Sequence, residues 1–211
     1  MRSRRKSTYQ PPPGGFDFTA AMERLCRDVT RRLPELRHID IDQVLVTVSQ
    51  SRKPVLHGLY AALTPMKFED GAETAVYHGQ QYGVETVVDE NRREMMYLLT
   101  FYLPRFMEVD FLEKLVTIFH ELWHISPDFN GDLRRHSGRC YAHTHSQKEY
   151  DDEMAALARK WLALQPPEML YQFLKLDFAQ MQFAYGEIFG RRIRRPKLLP
   201  INPSVNSSKC K

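Results

Sequence analysis

Nowhere in the 211 residues do eighteen apolar residues run together, so no membrane-spanning helix is expected and a membrane is not an expected partner. Cysteine is scarce. Cys26, Cys140 and Cys210 are widely spaced, odd in number and without a C-x-x-C pair, which argues for a reduced, intracellular chain with no disulfide framework. The opening MRSRRKSTYQPPPGG has the positive charges of a secretion signal but no apolar segment behind them, so a cytoplasmic location is expected. Internal repeats and low-complexity blocks are also lacking between the two ends.

Acidic residues are missing from those ends. Arg2, Arg4, Arg5 and Lys6 at one end, and Arg191, Arg192, Arg194, Arg195, Lys197, Lys209 and Lys211 at the other, stand without a single Asp or Glu among them. The overall charge of +4 therefore hides an acidic body between basic ends. Solvated, solubilising tails are the expected use, with weak nucleic-acid contact as the other. We expect a basic, proline-rich tail over 1–15, one domain over 16–190 and a second basic tail over 191–211. At 43% hydrophobic, the body can bury one substantial core.

What is present is concentrated in residues 110 to 145. Phe111, Leu112, Leu115, Ile118, Phe119 and Leu122 recur at helical spacing, and Asp110 with Glu113 forms a capping-box pattern, so DFLEKLVTIFHELWHI is predicted to be a buried helix. His120 and His124 then project from one face, one turn apart, where two imidazoles can share a metal ion, with Glu121 beside them. This is the H-E-x-x-H pattern of zinc hydrolases. The bland alternative makes both histidines satisfied core residues, but two imidazoles and a carboxylate are costly to bury without partners, and one metal satisfies all three.

A catalytic zinc needs a third protein ligand. Pro127 and Asn130 occupy the positions where H-x-x-G-x-x-H would require glycine and histidine, which excludes that subclass. Glu149 or Glu153 of the following helix, or His136, His143 or His145 of RHSGRCYAHTHSQKEYD, remain candidates. Asp128 and Asp132 hint at calcium, but a turn about Asn130-Gly131 is the better reading, with either aspartate free to orient a ligand imidazole.

Around this centre, an amphipathic helix is predicted from Asp17 or Thr19 to Leu33. Strands follow at Ile39 to Val48 and, as its partner, Gly58 to Met66. Residues 67–83 read as a loop or irregular hairpin, and Val84 to Val88 and Met95 to Leu103 as strands. Ser146 with Glu149 opens another helix, stopped by Pro166-Pro167, and a last helix is predicted from about Glu168 to Phe189.

HELWHI, followed by a loop and then H-S-Q-K-E-Y at the mouth of the next helix, resembles the SprT-like and phage-type metallopeptidases of the zincin superfamily. The resemblance implies an α+β, zincin-like fold: a small, mostly antiparallel sheet packed on the HExxH helix with flanking helices. It places His120 and His124 on the helical ligands, Glu121 on the general base, Tyr150 on an aromatic position and His145 on the third ligand, with His143 and His136 as alternates. No cysteine-rich zinc ribbon follows. One catalytic Zn2+ is implied, with Glu121 taking a proton from the attacking water and a second electrophile at the oxyanion, for which Tyr141 and Arg139 are candidates. Protein or peptide is the expected substrate, bound as an added strand beside the segment before Asn91 or along Met95 to Leu103. The alternative is a non-proteolytic, zinc-stabilised module engaging DNA or a protein partner through its basic tails.

Overall fold

The computed structural model describes residues 4–6, 14–51, 58–135 and 147–201, with 4–6 and 147–149 described as backbone only. In chain order the elements are β1 (Arg4–Lys6), β2 (Phe16–Asp17), α1 (Phe18–Arg32), β3 (Val44–Gln50), β4 (Ala61–Pro65), β5 (Thr74–Tyr77), β6 (Gln80–Val84), β7 (Thr86–Val88) and β8 (Tyr97–Leu103). There follow α2 (Phe111–Trp123), α3 (Gln147–Ala163), α4 (Phe178–Tyr185), β9 (Ile188–Phe189) and β10 (Leu198–Pro200). The fold is α+β, as the sequence implies. No described helix is long and apolar enough to cross a membrane.

The central sheet has the order β3-β8-β4. β8 pairs parallel with all seven residues of β3 on one side and antiparallel with β4 on the other. The segment Gly58 to Met66 is therefore the partner of β8, not of β3. Both β3 and β8 supply apolar side chains to both faces of the sheet, and the interior position falls to β8. Val44, Val46 and Val48 with Tyr97, Leu99 and Phe101 face the main core, while Leu45 and Leu98 face a smaller cluster with Met66, Val87 and Met95. Between the two strands, the hydroxyls of Thr47 and Thr100 satisfy each other at 2.9 Å.

α1 starts where the side chain of Asp17 accepts the Ala20 amide, and its stripe of Phe18, Met22, Leu25 and Val29 is fully buried. Edge-to-face contacts of Phe18 with Phe101, Phe106 and Phe173 join this helix to the sheet and to the C-terminal part of the chain. Trp161 of α3 is buried with its indole N–H bonded to Asp28 at 2.9 Å.

Two other expectations change. Residues 74–84 form a regular hairpin whose two-residue turn, His78-Gly79, has both φ angles positive, as such turns require. The single helix predicted from Glu168 to Phe189 is broken into short 3-10 turns at Glu168–Leu170 and Gln172–Lys175, then α4, then β9. Asp177 and Gln180 form a complete capping box that restarts the helix, and Gly186, at φ 77, ends it. Beyond it the described chain stays bound to the domain. The Arg191 carbonyl accepts the Val48 N–H, its guanidinium meets Glu23 at 2.7 Å, and β10 pairs antiparallel with β6.

Candidate metal centre

The helix α2 begins with the Asp110 carboxylate accepting the Glu113 amide at 2.9 Å. Leu115, Ile118, Phe119 and Leu122 are buried in the main core and fix the rotation of the helix. That rotation leaves His120 and His124 on one face, as the spacing predicts. Their ring centroids lie 4.6 Å apart at 79°. Tyr150 of α3 packs against both, 4.8 Å from the His120 ring and stacked 6.0 Å from that of His124. Burial pushes the Tyr150 phenol well above its ordinary pKa, so it stays neutral beside the imidazoles.

Glu121 points towards the sheet. Its carboxylate is almost wholly buried, at 9% exposure, and Oε2 accepts the main-chain N–H of Leu63 on β4 at 2.7 Å. Burial pushes its pKa up to about 7, and the Leu63 amide opposes that rise. β4 is the margin of the central sheet and its residues Ala61, Ala62 and Leu63 line a cavity of about 360 Å³ with His120, Glu121, His124, Arg134 and Arg135. A second cavity of about 550 Å³ adjoins it at His120 and Glu121 and is also lined by Asp110, Glu113 and Asp151. An extended chain cannot add to Met95–Leu103, because β8 is paired on both sides, and the open margin beside α2 belongs to β4.

After His124 the chain makes a closed excursion. Ile125 bridges Leu133, and the Arg134 amide returns to the His124 carbonyl at 2.7 Å. Tyr97 on β8 clamps this loop from below: its hydroxyl donates to the Asp132 carbonyl at 2.8 Å and accepts the Gly131 amide at 3.0 Å. The buried carboxylate of Asp132 accepts from the amides of Asp70 and Leu133 and from Arg135. Its oxygens are thus occupied by N–H donors, which agrees with a turn rather than a calcium loop. The Asp128 carboxylate makes no hydrogen bond to His120 or His124 among the described residues; its own amide donates to Ser126 Oγ at 3.3 Å.

His136, Arg139, Tyr141, His143 and His145 lie outside the described residues, as does the side chain of Glu149. Among the described residues no set of three His, Cys, Asp or Glu side chains converges on a metal position. The donor chemistry nevertheless fits a divalent ion of intermediate softness: two imidazoles on adjacent turns, with a carboxylate beside them that is held by the sheet. Three contributors escape sequence reading: the Leu63 amide, the Tyr97 clamp and Arg134, which follows a turn as one of two ordinary-looking arginines.

An α+β domain that presents an H-E-x-x-H helix against the margin of a small sheet has the layout of a metal-dependent hydrolase. Residues 18–160, about two thirds of the chain, match the model of a family described as "Putative phage metallopeptidase", and the chain belongs to that family. A metal cofactor is implied by that membership. Comparisons with curated proteins and with solved structures each give no match.

Proposed function

We propose that the chain is a zinc-dependent peptidase that cleaves protein or peptide substrates, with His120 and His124 as ligands and Glu121 as general base. The observation that carries this reading is the placement of Glu121. A buried carboxyl raised to about 7, on the same helix turn as two adjacent imidazoles, is poised to exchange a proton near neutral pH. The resemblance supplies His145 as third ligand, with His143, His136 and Glu149 as the alternates. Zinc, when bound there, would polarise the scissile carbonyl and acidify a water.

The residues of the chain supply the rest. Glu121 accepts the proton of the attacking water and returns it to the leaving amine. The Leu63 N–H fixes the carboxylate on the sheet side, so the second oxygen is the one left for this exchange. Tyr150 walls the imidazoles and excludes water from that flank. Main-chain groups on the outer margin of β4 other than the Leu63 N–H offer an extended substrate partners beside the base.

The test is zinc content and cleavage of labelled casein by the full chain. We expect about one zinc per chain, cleavage abolished by chelation, and Glu121→Gln protein that keeps zinc and fold but not cleavage. Zinc retained with no cleavage by the wild type would favour the metal-stabilised binding module instead.

A further inference from the structure

Two arginines share the wall of the cavity that holds His120, Glu121 and His124, and their charges are handled differently. Arg135 is neutralised by Asp132 at 2.8 Å and Glu69 at 3.2 Å. Arg134 has no carboxylate partner among the described residues. Outside the description, Glu149 is the only acidic side chain in the whole sequence. The Arg134 guanidinium is nevertheless fixed. Its Nε donates to the Trp123 carbonyl at 2.7 Å and its Cζ lies 4.1 Å from the centre of the Trp123 ring. Those contacts cap the end of α2 and leave both terminal nitrogens of the fork without a protein acceptor among the described residues.

Half-burying a cation with no countercharge is unfavourable, and burial lowers the pKa of this guanidinium. Such a group is suited to an anion that arrives with a ligand, and a planar fork matches a carboxylate. Its place decides which anion. The charge of Arg134 acts on Tyr150 and His38, whereas the shift of Glu121 arises from burial and the Leu63 amide. Arg134 lines the same cavity as His120, Glu121 and His124, so an anion held by its fork sits within the site of the proposed base. The adjoining cavity is lined instead by Asp110, Glu113, Asp151 and Asp152, which repel carboxylates.

Resting on the peptidase reading of the same site, we propose that Arg134 is a specificity residue whose guanidinium binds a substrate carboxylate close to the bond to be cut. The carboxylate is either an aspartate or glutamate side chain or the free end of a peptide.

The test is equilibrium binding to the full chain carrying Glu121→Gln, with zinc supplied, read by fluorescence anisotropy. The probes are fluorescein-labelled decapeptides: a series with one glutamate walked along an amidated peptide, its glutamine counterpart amidated, and that counterpart with a free carboxyl terminus. At least one acidic probe binds about tenfold tighter than the amidated glutamine peptide, the contribution expected of a charge-assisted hydrogen bond. The best binder in the walked series identifies a side chain; preference for the free terminus identifies a chain end. The advantage disappears in Arg134→Gln and largely survives in Arg134→Lys. Equal binding of all probes, no binding of any, or a preference that persists in Arg134→Gln overturns the assignment. Failure of the peptidase reading shows separately, as absent zinc or absent casein cleavage by the wild type, and leaves a carboxylate preference at Arg134 intact.

Discussion

Leu63 on the sheet margin and Glu121 on α2 are joined by a 2.7 Å hydrogen bond from main-chain N–H to carboxylate. The bond ties the proposed base to the strand along which a substrate would lie. It also sets how Glu121 responds to pH. Burial holds the carboxyl near 7 instead of the usual 4.5, so between those values the folded, metal-free chain keeps a proton that the unfolded chain has released. Folding takes up a proton in that window, and stability falls as pH rises from about 4.5 to about 7, by a total on the order of 3 kcal/mol, then levels off. Glu121→Gln cannot titrate, so the gain in Tm of the variant over the wild type, both stripped of metal, grows across the same window. A gain independent of pH would contradict this account.

Metal analysis separates the ligands. His120→Ala and His124→Ala each reduce bound zinc from about one per chain to a small fraction, as loss of one of three ligands should. Alanine placed in turn at His136, His143 and His145 identifies the third, and the His145 variant is expected to lose most zinc. Full zinc content in the His120 variant would place the ion elsewhere.

The clamp beneath the loop is tested by Tyr97→Phe. Removing the hydroxyl leaves the Gly131 amide and the Asp132 carbonyl short of a buried partner, at a cost of about 1–3 kcal/mol. For a chain of this length that lowers Tm by roughly 2–4 °C per kcal/mol. Cleavage should fall as well, because the loop carries Arg134 and leads into the segment with the candidate third ligands. An unchanged Tm would show that the hydroxyl contributes nothing.

Lys114 is a buried cation in the first turn of α2, 2% exposed, whose ammonium donates to the carbonyls of Leu174 at 3.0 Å and Leu176 at 2.8 Å. Lys114→Met fills the space but strands both carbonyls, and should destabilise by about 1–3 kcal/mol in thermal melts. Zinc content is expected to be unchanged, since the ammonium bonds the Leu174–Leu176 segment and lies more than a turn along the helix from His120. Lost zinc in a folded Lys114→Met protein would refute that separation of roles.

The sequence makes the helices around the site readable because their apolar residues recur at helical spacing and their caps are explicit: Asp17 and Asp110 each accept the amide expected of them. Strand partners are harder to read. Val44–Gln50 and Tyr97–Leu103 are apolar on both faces, so alternation says little about which strand is interior, and chain proximity suggests the wrong neighbour for β4. The hairpin at 74–84 is too polar to announce itself, although His78-Gly79 is a fair turn signal. In residues 168–189, apolar spacing continues through a cap at Asp177 that divides it. The placement of His120 and His124 on one helix face is legible from spacing alone. The surroundings of Arg134 are not, because they depend on which acids the fold brings near it, and none of the described ones pairs with it.

The central sheet has two outer margins, and they meet different fates. At β3 the backbone of Arg191 joins Val48, so visitors find that side already engaged. At β4 no described strand pairs with the outer edge, which lines the cavity of His120 and Glu121 and whose Leu63 N–H is held by Glu121. Any strand recruited there, whether from food, foe or a second copy of this protein, arrives at the reactive centre by the same act that docks it. On the peptidase reading, a second copy docked on β4 would compete with substrate for that edge, and concentrating the protein should then slow cleavage.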